Sequence, residues 1–559
     1  MHEIVQLQKR ELSKTYYLTN FEKLLRFVLS SYEDLLKPNE IKLIESFFSQ
    51  NKNAKLLYTR LIGRRGPFFL KNKLNYEEIK IDKALSDLMH SGFLHLYSSA
   101  NELEADYEPE DYLLSYSRKE LEAVLSKKGL KGLSKFKKPE LLELFLEDFD
   151  LREMLLIEAP LLTLNHSSEF QLFFYLFFGN FHQTLSDFIL EDVGALKYER
   201  YKIDKETRLF DSRKTVNQSM KFHEAREACY VAMEIGAFDE ALDLWKIMGK
   251  NKGSISSLSR KFKDYSDQLG RHFERIGDNN QALECYKKSN SSFAKERTIR
   301  LLTEIGELEK AIRLFKKMSK SPSNFDEIDF VRKFSKKLSR LTEKEFQISQ
   351  EWNFIEERWE IKKSSQLNVE EMVVKELKKK KIHALHTENW FWNSLLGLAF
   401  WDIIFKPIPG VFHHPFQRGP TDLFHPEDFY NSRKEQIEKR LKSIGTGKYS
   451  KQILKTAKAK FKTANYLVAW NYMDFGFLER TLDTFPPTKL EAILRRQLSE
   501  LRRNSSGLPD VFCIDQSGHP KLYEVKGPGD QLRPNQRAWL SFMSEIGLDC
   551  SVLWVKYKS

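Results

Sequence analysis

The chain has 559 residues and a net charge of +12, and 41% of its residues are hydrophobic, with 13% aromatic. A chain of this length exceeds what one hydrophobic core can hold, so several domains are expected, and the apolar content excludes a largely disordered protein. The positive charge favours a polyanionic partner, nucleic acid before a membrane surface, although a solvated basic surface is the other interpretation.

The cysteines are few and widely separated, at Cys229, Cys285, Cys513 and Cys550. They form no Cys-x-x-Cys pair, so the sequence supports neither a zinc finger nor a disulfide framework. The N-terminus lacks the apolar core of a signal peptide, and the longest apolar runs are too short to span a bilayer. We therefore expect a protein that is neither secreted nor in a membrane. It would lie in the cytoplasm or nucleoid of a bacterium, or in the nucleus of a eukaryote.

Residues 1–110 predict a helical, winged-helix-like DNA-binding region. Apolar residues recur at helical spacing in "NEIKLIESFFSQ" and "AKLLYTRLI", and Gly63, Gly66 and Pro67 interrupt the pattern. A further helix then runs into a short strand. The basic group of this region, which precedes that helix, consists of Arg60, Arg64, Arg65 and Lys71. These side chains either contact DNA phosphates or lie on a solvated turn.

Residues 111–150 predict a helix–loop–helix. An amphipathic helix carrying Leu121 and Leu125 ends at Gly129, and Pro139 opens a second helix, as proline can at a first helical turn. The connection is basic, with Lys131, Lys135, Lys137 and Lys138. This arrangement resembles the SAP type of DNA-binding motif. Two short helices with solvated lysines are the alternative interpretation.

A helical connector over 151–204 is followed by a helical repeat region over 205–375. Glycine, alanine and an aromatic residue recur at fixed offsets in segments that begin at Gly236, Gly277 and Gly306. Their separations lie on either side of the roughly 34 residues typical of tetratricopeptide repeats, so we expect a short solenoid of helical hairpins. It either binds a partner protein or holds the flanking domains at a fixed geometry.

The lysine-rich segment 375–381 indicates a boundary, after which residues 376–559 form the last domain. Between Arg433 and Lys462 there are eleven basic residues and two acidic ones. Aromatic residues are nearly absent there, which argues against stacking on unpaired bases. The run either contacts DNA phosphates along a helix face or is a charged solvent face.

The chemistry is concentrated in a predicted hairpin near the C-terminus, formed by "DVFCI" and "KLYEVK" around the turn "DQSGH". Asp510 begins the first strand. Because side chains alternate along a strand, Glu524 and Lys526 lie on one face, and Tyr523 and Val525 face a core. The two carboxylates suit Mg²⁺ or Mn²⁺, which would activate a water molecule for attack on a phosphate. The lysine would orient or deprotonate that water, or stabilise the phosphate charge.

The spacing Pro-Asp, thirteen residues, Glu-x-Lys is that of the PD-(D/E)-x-K nucleases. This short pattern also arises by chance, but its flanks, "GLPD" and "EVKGPGDQLRPNQRAW", resemble the virus-type replication–repair nuclease (VRR-NUC) domain. The upstream segment "HTENWFWNSLLGLAFWDIIF" resembles that of the Fanconi-anaemia-associated nuclease family. The order of parts matches this family too. It implies a multidomain, mostly α-helical protein that ends in an α/β domain of the restriction-endonuclease type.

The resemblance implies a structure-specific DNA nuclease that acts on branched or flapped double-stranded DNA. Its activities would be 5′-flap endonuclease and stepwise 5′-to-3′ exonuclease, with Mg²⁺ or Mn²⁺, in the repair of interstrand crosslinks. The zinc finger of the animal members is absent, so a bacterial-type member is expected. The alternatives are a catalytically inert DNA-binding scaffold whose repeats recruit partners, and a Holliday-junction resolvase. The complete set of acids and lysine favours an enzyme, and the long N-terminal extension argues against a resolvase.

The resemblance also implies roles for single residues. The metal ligands would be the carboxylates of Glu388, Asp510 and Glu524 and the carbonyl of Val525, with Lys526 as the catalytic lysine. Gln536 matches the motif on a helix behind the second strand and is grouped with the DNA-binding residues. Arg502 matches a basic residue used near the DNA 5′-phosphate. The second basic residue of that pocket falls on Asn535, which is not basic. The resemblance therefore does not decide whether the pocket for the 5′-phosphate is present.

Overall fold

The structure, a computed structural model, describes residues 13–64, 66, 68–97, 116–127, 129–148, 161–188, 197–253, 255–343, 345–346 and 354–558. The chain forms two compact units. The N-terminal unit contains residues 1–196 and 204–213, and the C-terminal unit contains residues 197–203 and 214–559. Arg65, one of the predicted DNA-binding residues, lies outside the described residues. Within them, no helix has the length and apolar character needed to cross a membrane.

The N-terminal unit combines helices with a small antiparallel sheet. Its helices are α1 (Tyr16–Tyr32), α2 (Pro38–Ser49), α3 (Lys52–Ile62), α4 (Ile81–His90), α5 (Arg118–Lys127), α6 (Lys138–Asp148) and α7 (Ser167–Phe178). Its strands are β1 (Phe68–Leu70), β2 (Leu94–Tyr97) and β3 (Leu161–Leu164), in the order β1-β3-β2. As the sequence predicts, α4 runs into a short strand. Phe21, Phe47 and Phe170 are fully buried and pack edge-on or tilted against one another.

The predicted helix–loop–helix is formed by α5 and α6. Gly129 follows α5 with φ of +97°, a left-handed conformation that glycine adopts without steric cost. Leu121, Leu125 and Leu141 are fully buried and join a cluster that includes β1 and β3 residues. The hairpin is therefore anchored on the N-terminal sheet through its leucine face.

The first part of the C-terminal unit is a stack of helical hairpins. Its helices are α8 (Arg213–Glu234), α9 (Phe238–Asn251), α10 (Ser256–Ile276), α11 (Asn279–Ser289), α12 (Ser292–Glu304), α13 (Leu308–Lys320) and α14 (Phe325–Thr342). The turns of the three hairpins use Gly236, Gly277 and Gly306, all with φ between +79° and +86°. The alanine five residues after each glycine is fully buried. A small side chain at that position lets paired helices approach closely, which explains the repeated motif.

The second part of the C-terminal unit is a five-stranded sheet with helices on both faces. Its strands are β4 (Ile355–Lys362), β5 (His383–His386), β6 (Val511–Ile514), β7 (Pro520–Lys526) and β8 (Asp549–Lys558), in the order β4-β8-β7-β6-β5. Strand β8 runs parallel to β4 and β7, and β6 runs antiparallel to β5 and β7. The helices are α15 (Val369–Lys379), α16 (Glu388–Ala399), α17 (Trp401–Ile404), α18 (Pro426–Gly445), α19 (Ser450–Ala459), α20 (Phe475–Thr484), α21 (Pro487–Ser499), α22 (Leu501–Asn504) and α23 (Pro534–Glu545).

Strand alternation divides the core into two layers. On one face, Val511 and Tyr523 pack with Val373 of α15. On the other face, Phe512 packs with Trp392 of α16, in a cluster that also contains α23. This α/β/α arrangement confirms the predicted fold class.

The structure moves the predicted boundary near residue 375. Strand β4 pairs with β8, with Ile355 opposite Ser551, so the sheet begins inside the range assigned to the repeats. Three of the five lysines at 375–381 lie in α15, and Lys378 and Lys379 stand in its last turn, where cations interact favourably with the negative end of the helix dipole. The run that was interpreted as a domain boundary is the end of a helix that packs on the sheet.

The basic run from Arg433 to Lys462 is only partly a solvent or DNA-facing surface. Arg433 is 2% exposed, and its Nη1 lies 2.8 Å from Asp422 Oδ2 in the core. Arg440 pairs with Asp402 at 2.7 Å. The prediction of phosphate contact along a helix face does not hold at Arg433, whose charge is neutralised in the core, and the charge of Arg440 is paired with Asp402 at the surface.

Candidate active site

The hairpin register brings the two strand carboxylates together. Val511 lies opposite Tyr523 in the antiparallel pair β6–β7, so Asp510 lies opposite Glu524 one step further. Lys526 follows on the same face as Glu524. The alternation inferred from the sequence therefore places the two acids and the lysine at one end of the hairpin.

Asp510 is held by the neighbouring strand. The backbone N–H of Val525 donates a hydrogen bond of 2.9 Å to Asp510 Oδ2. Burial raises the pKa of Asp510 to about 6, although the Val525 hydrogen bond and the charge of Lys526 lower it. The nearby Glu370 carboxylate also raises it. The free protein thus holds this carboxyl close to its ionisation point at neutral pH.

Glu524 is completely buried, and both of its close partners bind one oxygen. Lys526 Nζ lies 2.7 Å from Glu524 Oε1, and Gln536 Nε2 of α23 donates to the same oxygen at 2.5 Å. Burial and the neighbouring Asp510 raise the pKa of Glu524 well above its usual value, and Lys526 opposes this shift. The other oxygen, Oε2, is buried without a hydrogen-bond partner.

This donor set fits a hard divalent cation. A buried carboxylate oxygen without a partner is costly, and two adjacent carboxylates repel each other unless a positive charge lies between them. Carboxylate and carbonyl oxygens are the ligands that Mg²⁺ and Mn²⁺ prefer. Among the described residues, no three His, Cys, Asp or Glu side chains close around one point. The fit therefore involves Asp510 and Glu524, with the carbonyl of Val525 available beside them.

Glu388 lies at the rim of the same cleft. It begins α16 with φ of +37°, and its N–H and that of Thr387 donate to the backbone carbonyl of Asp510 at 3.0 and 2.8 Å. Its side chain is exposed and contacts Asn389 at 3.4 Å. The backbone of α16 is thus tied to Asp510, while the Glu388 carboxylate stays free to turn into the cleft.

The cleft itself has a volume of about 810 Å³ and is lined mainly by polar and charged residues. Residues of the sheet meet residues of α14, the last repeat helix, which packs against α23. The charged side chains that line it are Asp329, Lys333, Glu370, Glu388, Asp510, Lys526, Asp530, Arg533 and Arg537. An extended polar ligand is the kind of molecule that fits such an open, charged cleft.

Several of these residues were not predicted from the sequence. Glu370 stands in the first turn of α15, and Asp329 and Lys333 stand on α14. They come from elements far away in the chain. An acid in the first turn of a helix has an ordinary explanation in the helix dipole, so the sequence held no signal for the role of Glu370.

Arg502 does not line this cleft. It lies on α22 and faces a second cleft of about 740 Å³ together with Lys263 of α10 and His425. Burial and the charges of Arg260 and Arg502 lower the pKa of His425 to about 4, so its imidazole is neutral there. Asn535, at the position of the second basic residue, donates instead to Ser506. Lys263 of the repeats lines the same cleft as Arg502.

Some of the predicted DNA-binding residues of the N-terminal unit form ion pairs with carboxylates, and others do not. Arg60 pairs with Glu78 at 2.8 Å and lies over the ring of Tyr17, and Lys71 pairs with Asp82 at 3.4 Å. The exposed residues without a carboxylate partner in the described part of the chain are Arg64, Lys131, Lys135 and Lys137. The basic connection between α5 and α6 therefore presents more available charge than the turn after α3.

Comparison with known proteins agrees with these features. The family model "FAN1, HTH domain" matches residues 15–95, and the model "VRR-NUC domain" matches residues 444–557. The second range contains β6, β7, α23 and β8. Strands β4 and β5, which complete the sheet, lie outside it.

Whole-chain relatives cover both units. A Fanconi-associated nuclease 1 homolog from Pseudomonas aeruginosa is 28% identical over 553 residues, which cover 97% of this chain and 96% of that protein. A homolog from Arabidopsis thaliana is 26% identical, with 97% of this chain and 67% of that protein covered. A crystal structure of paFAN1 bound to 5′-flap DNA matches with a TM-score of 0.84 at 26% identity, over 98% of this chain and 100% of that one. The chain is similar over both units to Fanconi-associated nucleases, carries a VRR-NUC domain, and is a structure-specific DNA nuclease.

Proposed function

We propose that this nuclease cuts 5′ flaps as an endonuclease and degrades DNA from 5′ to 3′ as an exonuclease, in the repair of interstrand crosslinks. The observation that carries the proposal is the convergence of Asp510, Glu524 and Lys526 at one end of the hairpin, where Asp510 and Lys526 line an open, charged cleft and Glu524 is buried beside them. It is supported by a relative whose solved structures hold 5′-flap DNA with a gap. An inert scaffold has no need to keep two acids and a lysine buried together at a cost in stability.

The residues that would hold the metal, Mg²⁺ or Mn²⁺, are Asp510, Glu524 and the carbonyl of Val525, with Glu388 joining from the rim. When bound, such an ion lowers the pKa of a water molecule and neutralises charge on the phosphate that is cut. Glu524 Oε2 is the oxygen best placed to serve it, because Oε1 already accepts from Gln536 and Lys526.

Lys526 has two tasks in this proposal. Its ammonium group compensates the charge of Glu524 in the free protein, at 2.7 Å. It would then donate a hydrogen bond to the attacking water or to a phosphate oxygen, which orients the reacting groups and stabilises the developing negative charge. Since it is only 8% exposed, the lysine is kept within the end of β7 and cannot swing into solvent.

DNA binding would use two further regions. The exposed lysines Lys131, Lys135 and Lys137 would contact phosphates of the duplex, which positions the DNA without reading its sequence. Arg502, with Lys263, would receive a phosphate at the 5′ side of the cut. The repeat region, which belongs to the same unit as the acids, would hold Lys263 and thereby help to position the phosphate site at Arg502.

The test is cleavage of end-labelled 5′-flap, 3′-flap, splayed and four-way DNA with Mn²⁺. Wild-type protein is compared with Asp510→Ala and with Asp483→Ala, a control at an exposed aspartate of α20. We expect 5′-flap cutting that is lost in Asp510→Ala and in chelator and is kept in the control. Preferential cutting of the four-way DNA would favour a resolvase, and tight binding without any cutting would favour an inert scaffold.

A further inference from the structure

Arg537 is a partly buried arginine of the active-site cleft, and its side chain has no partner among the described residues. It stands on α23 directly after Gln536 and lines the cleft with Asp510 and Lys526. Its Nε is buried and makes no hydrogen bond. No carboxylate lies within ion-pair distance of it, and no aromatic ring lies under it, in the part of the chain that the structure describes.

Other arginines with a similar Nε show that this state is unusual. Six arginines among the described residues have a buried Nε without a hydrogen-bond partner. Five of them bind a carboxylate or a carbonyl through their terminal nitrogens, and these are Arg60, Arg208, Arg332, Arg480 and Arg496. Only Arg537 lacks such a bond. Its Nε is therefore a buried donor without an acceptor, which is costly, while its terminal nitrogens stay open to a ligand in the cleft.

The other cations of the cleft are already engaged or solvated. Lys333 pairs with Asp329 at 2.6 Å, and Lys526 pairs with Glu524 at 2.7 Å. Arg533 is exposed at the start of α23. Among the cations of the cleft, Arg537 is therefore the one that is partly buried and has no carboxylate partner in the described part of the chain.

We propose that Arg537 binds a phosphate of the cleaved DNA strand, adjacent to the phosphate held at Asp510 and Glu524. This inference rests on the proposed function and adds a residue to it. The planar guanidinium can donate two parallel hydrogen bonds to two phosphate oxygens, which fixes both the position and the orientation of the strand. Five carboxylates and four cations line the cleft, and two of these cations, Lys333 and Lys526, are already paired with carboxylates, so an incoming phosphate has to be met by an arginine.

This role explains how the strand can enter an acidic cleft in one register. Gln536 fixes Glu524, and the next residue along α23 fixes the substrate, so one short helix segment orders both the acid and the DNA. Because Arg537 makes no hydrogen bond to the carboxylates in the free protein, its replacement should leave their geometry and their metal affinity unchanged.

The test uses the full-length chain with Arg537→Gln and Arg537→Lys. Arg358→Gln is the matched control, since this arginine is exposed on β4 and does not line the cleft. We measure kcat and KM on 5′-flap DNA with Mn²⁺, the Mn²⁺ affinity and the melting temperature. We expect Arg537→Gln to lower kcat/KM by about tenfold to a hundredfold. Arg537→Lys should recover part of this loss, because it keeps the charge but not the planar fork.

Metal affinity and melting temperature should stay at wild-type values in both variants, and the control should behave as wild type. Activity of Arg537→Gln within twofold of wild type would overturn the inference while leaving the proposed nuclease function intact. An equal loss in Arg537→Gln and Arg537→Lys, with a lower melting temperature, would assign Arg537 to the fold instead.

If wild-type protein cuts no DNA, the proposed function fails. Flap binding by Asp510→Ala, with and without Arg537→Gln, then still decides whether Arg537 holds a phosphate.

Discussion

Gln536 Nε2 donates a hydrogen bond of 2.5 Å to Glu524 Oε1. The amide reaches the carboxylate from α23, on the face of the sheet opposite α15, and it leaves Oε2 without a partner. One oxygen of Glu524 is therefore fixed by the protein, and the other is available to a ligand. The motif match had grouped Gln536 with residues that contact DNA. Its hydrogen bond indicates that it also orients the acid, and the prediction that it contacts DNA stays a prediction.

Gln536→Leu should weaken metal binding while leaving the fold in place. Loss of the amide frees the Glu524 carboxylate to rotate, and removal of such an orienting partner costs about 10- to 100-fold in metal affinity or activity. Calorimetric titration with Mn²⁺ checks this, with Gln452→Leu on the exposed face of α19 as the control. An unchanged Mn²⁺ affinity would show that Gln536 does not position Glu524.

Asp510→Asn should abolish cleavage and stabilise the metal-free protein at alkaline pH. The folded-state pKa of Asp510 is about 6, above the ordinary 3.8, so the stability of the wild-type protein falls as pH rises from about 4 to about 6 and then stays lower. The neutral amide removes this cost and can still accept from Val525. In chelating buffer we expect a gain on the order of 1 kcal/mol at pH 8 and a smaller one at pH 5.

Thermal unfolding at both pH values measures this gain, and Asp483→Asn provides the comparison at an exposed aspartate. A gain that is the same at pH 5 and at pH 8 would show that burial of the Asp510 charge is not its cause.

Mn²⁺ affinity should rise with pH. Asp510, with a pKa of about 6, and Glu524, with a pKa raised well above its usual value, must both lose their protons to bind a cation. The affinity should therefore increase by about tenfold per pH unit for each proton displaced. Titration between pH 5.5 and 8 tests this, and the dependence should become shallower in Glu524→Gln. A flat profile would mean that these carboxylates are not the ligands.

Local sequence patterns predicted the hairpin, because Asp510, Glu524 and Lys526 are close in the chain and strand alternation fixes their faces. The pairing of β4 with β8 could not be predicted in this way. Ile355 and Ser551 are parallel neighbours across almost two hundred residues, and a parallel pair leaves no turn signal between its strands. Glu370 and Lys333 line the cleft with Asp510, and they could not be predicted as cleft residues because they are also far from Asp510 in the sequence.

Charge patterns were informative about partners but not about burial. Arg433 belongs to a run of eleven basic residues, yet its guanidinium is enclosed by Asp422 and by the carbonyl of Ile403. A sequence shows that a charge exists, and only the packing of α18 against its neighbours shows that the charge is neutralised inside the protein.

Arg433→Met should destabilise the protein strongly, because it leaves the buried Asp422 carboxylate without its partner. Breaking a buried pair on one side costs about 3–5 kcal/mol, whereas replacing both partners with apolar residues costs much less. Chemical unfolding of Arg433→Met and of the double variant with Asp422→Leu tests the pair, with Lys434→Met as the exposed control. Equal stability of the single and double variants would show that the two residues are not coupled.

The basic connection between α5 and α6 should contribute to DNA affinity through charge alone. The residues to replace by Gln together are Lys131, Lys135 and Lys137. All three are exposed, and none has a carboxylate partner in the described part of the chain, so each is free to displace a counterion from a phosphate. We expect weaker binding to every DNA structure and a salt dependence whose slope is smaller by about 0.9 for each lost contact. Fluorescence anisotropy at several salt concentrations measures both quantities.

The matched control makes the same change in net charge on α13, at Lys316, Lys317 and Lys320. If both triple variants lose affinity equally, the effect belongs to the net charge of the protein and the helix–loop–helix is not a DNA-binding site.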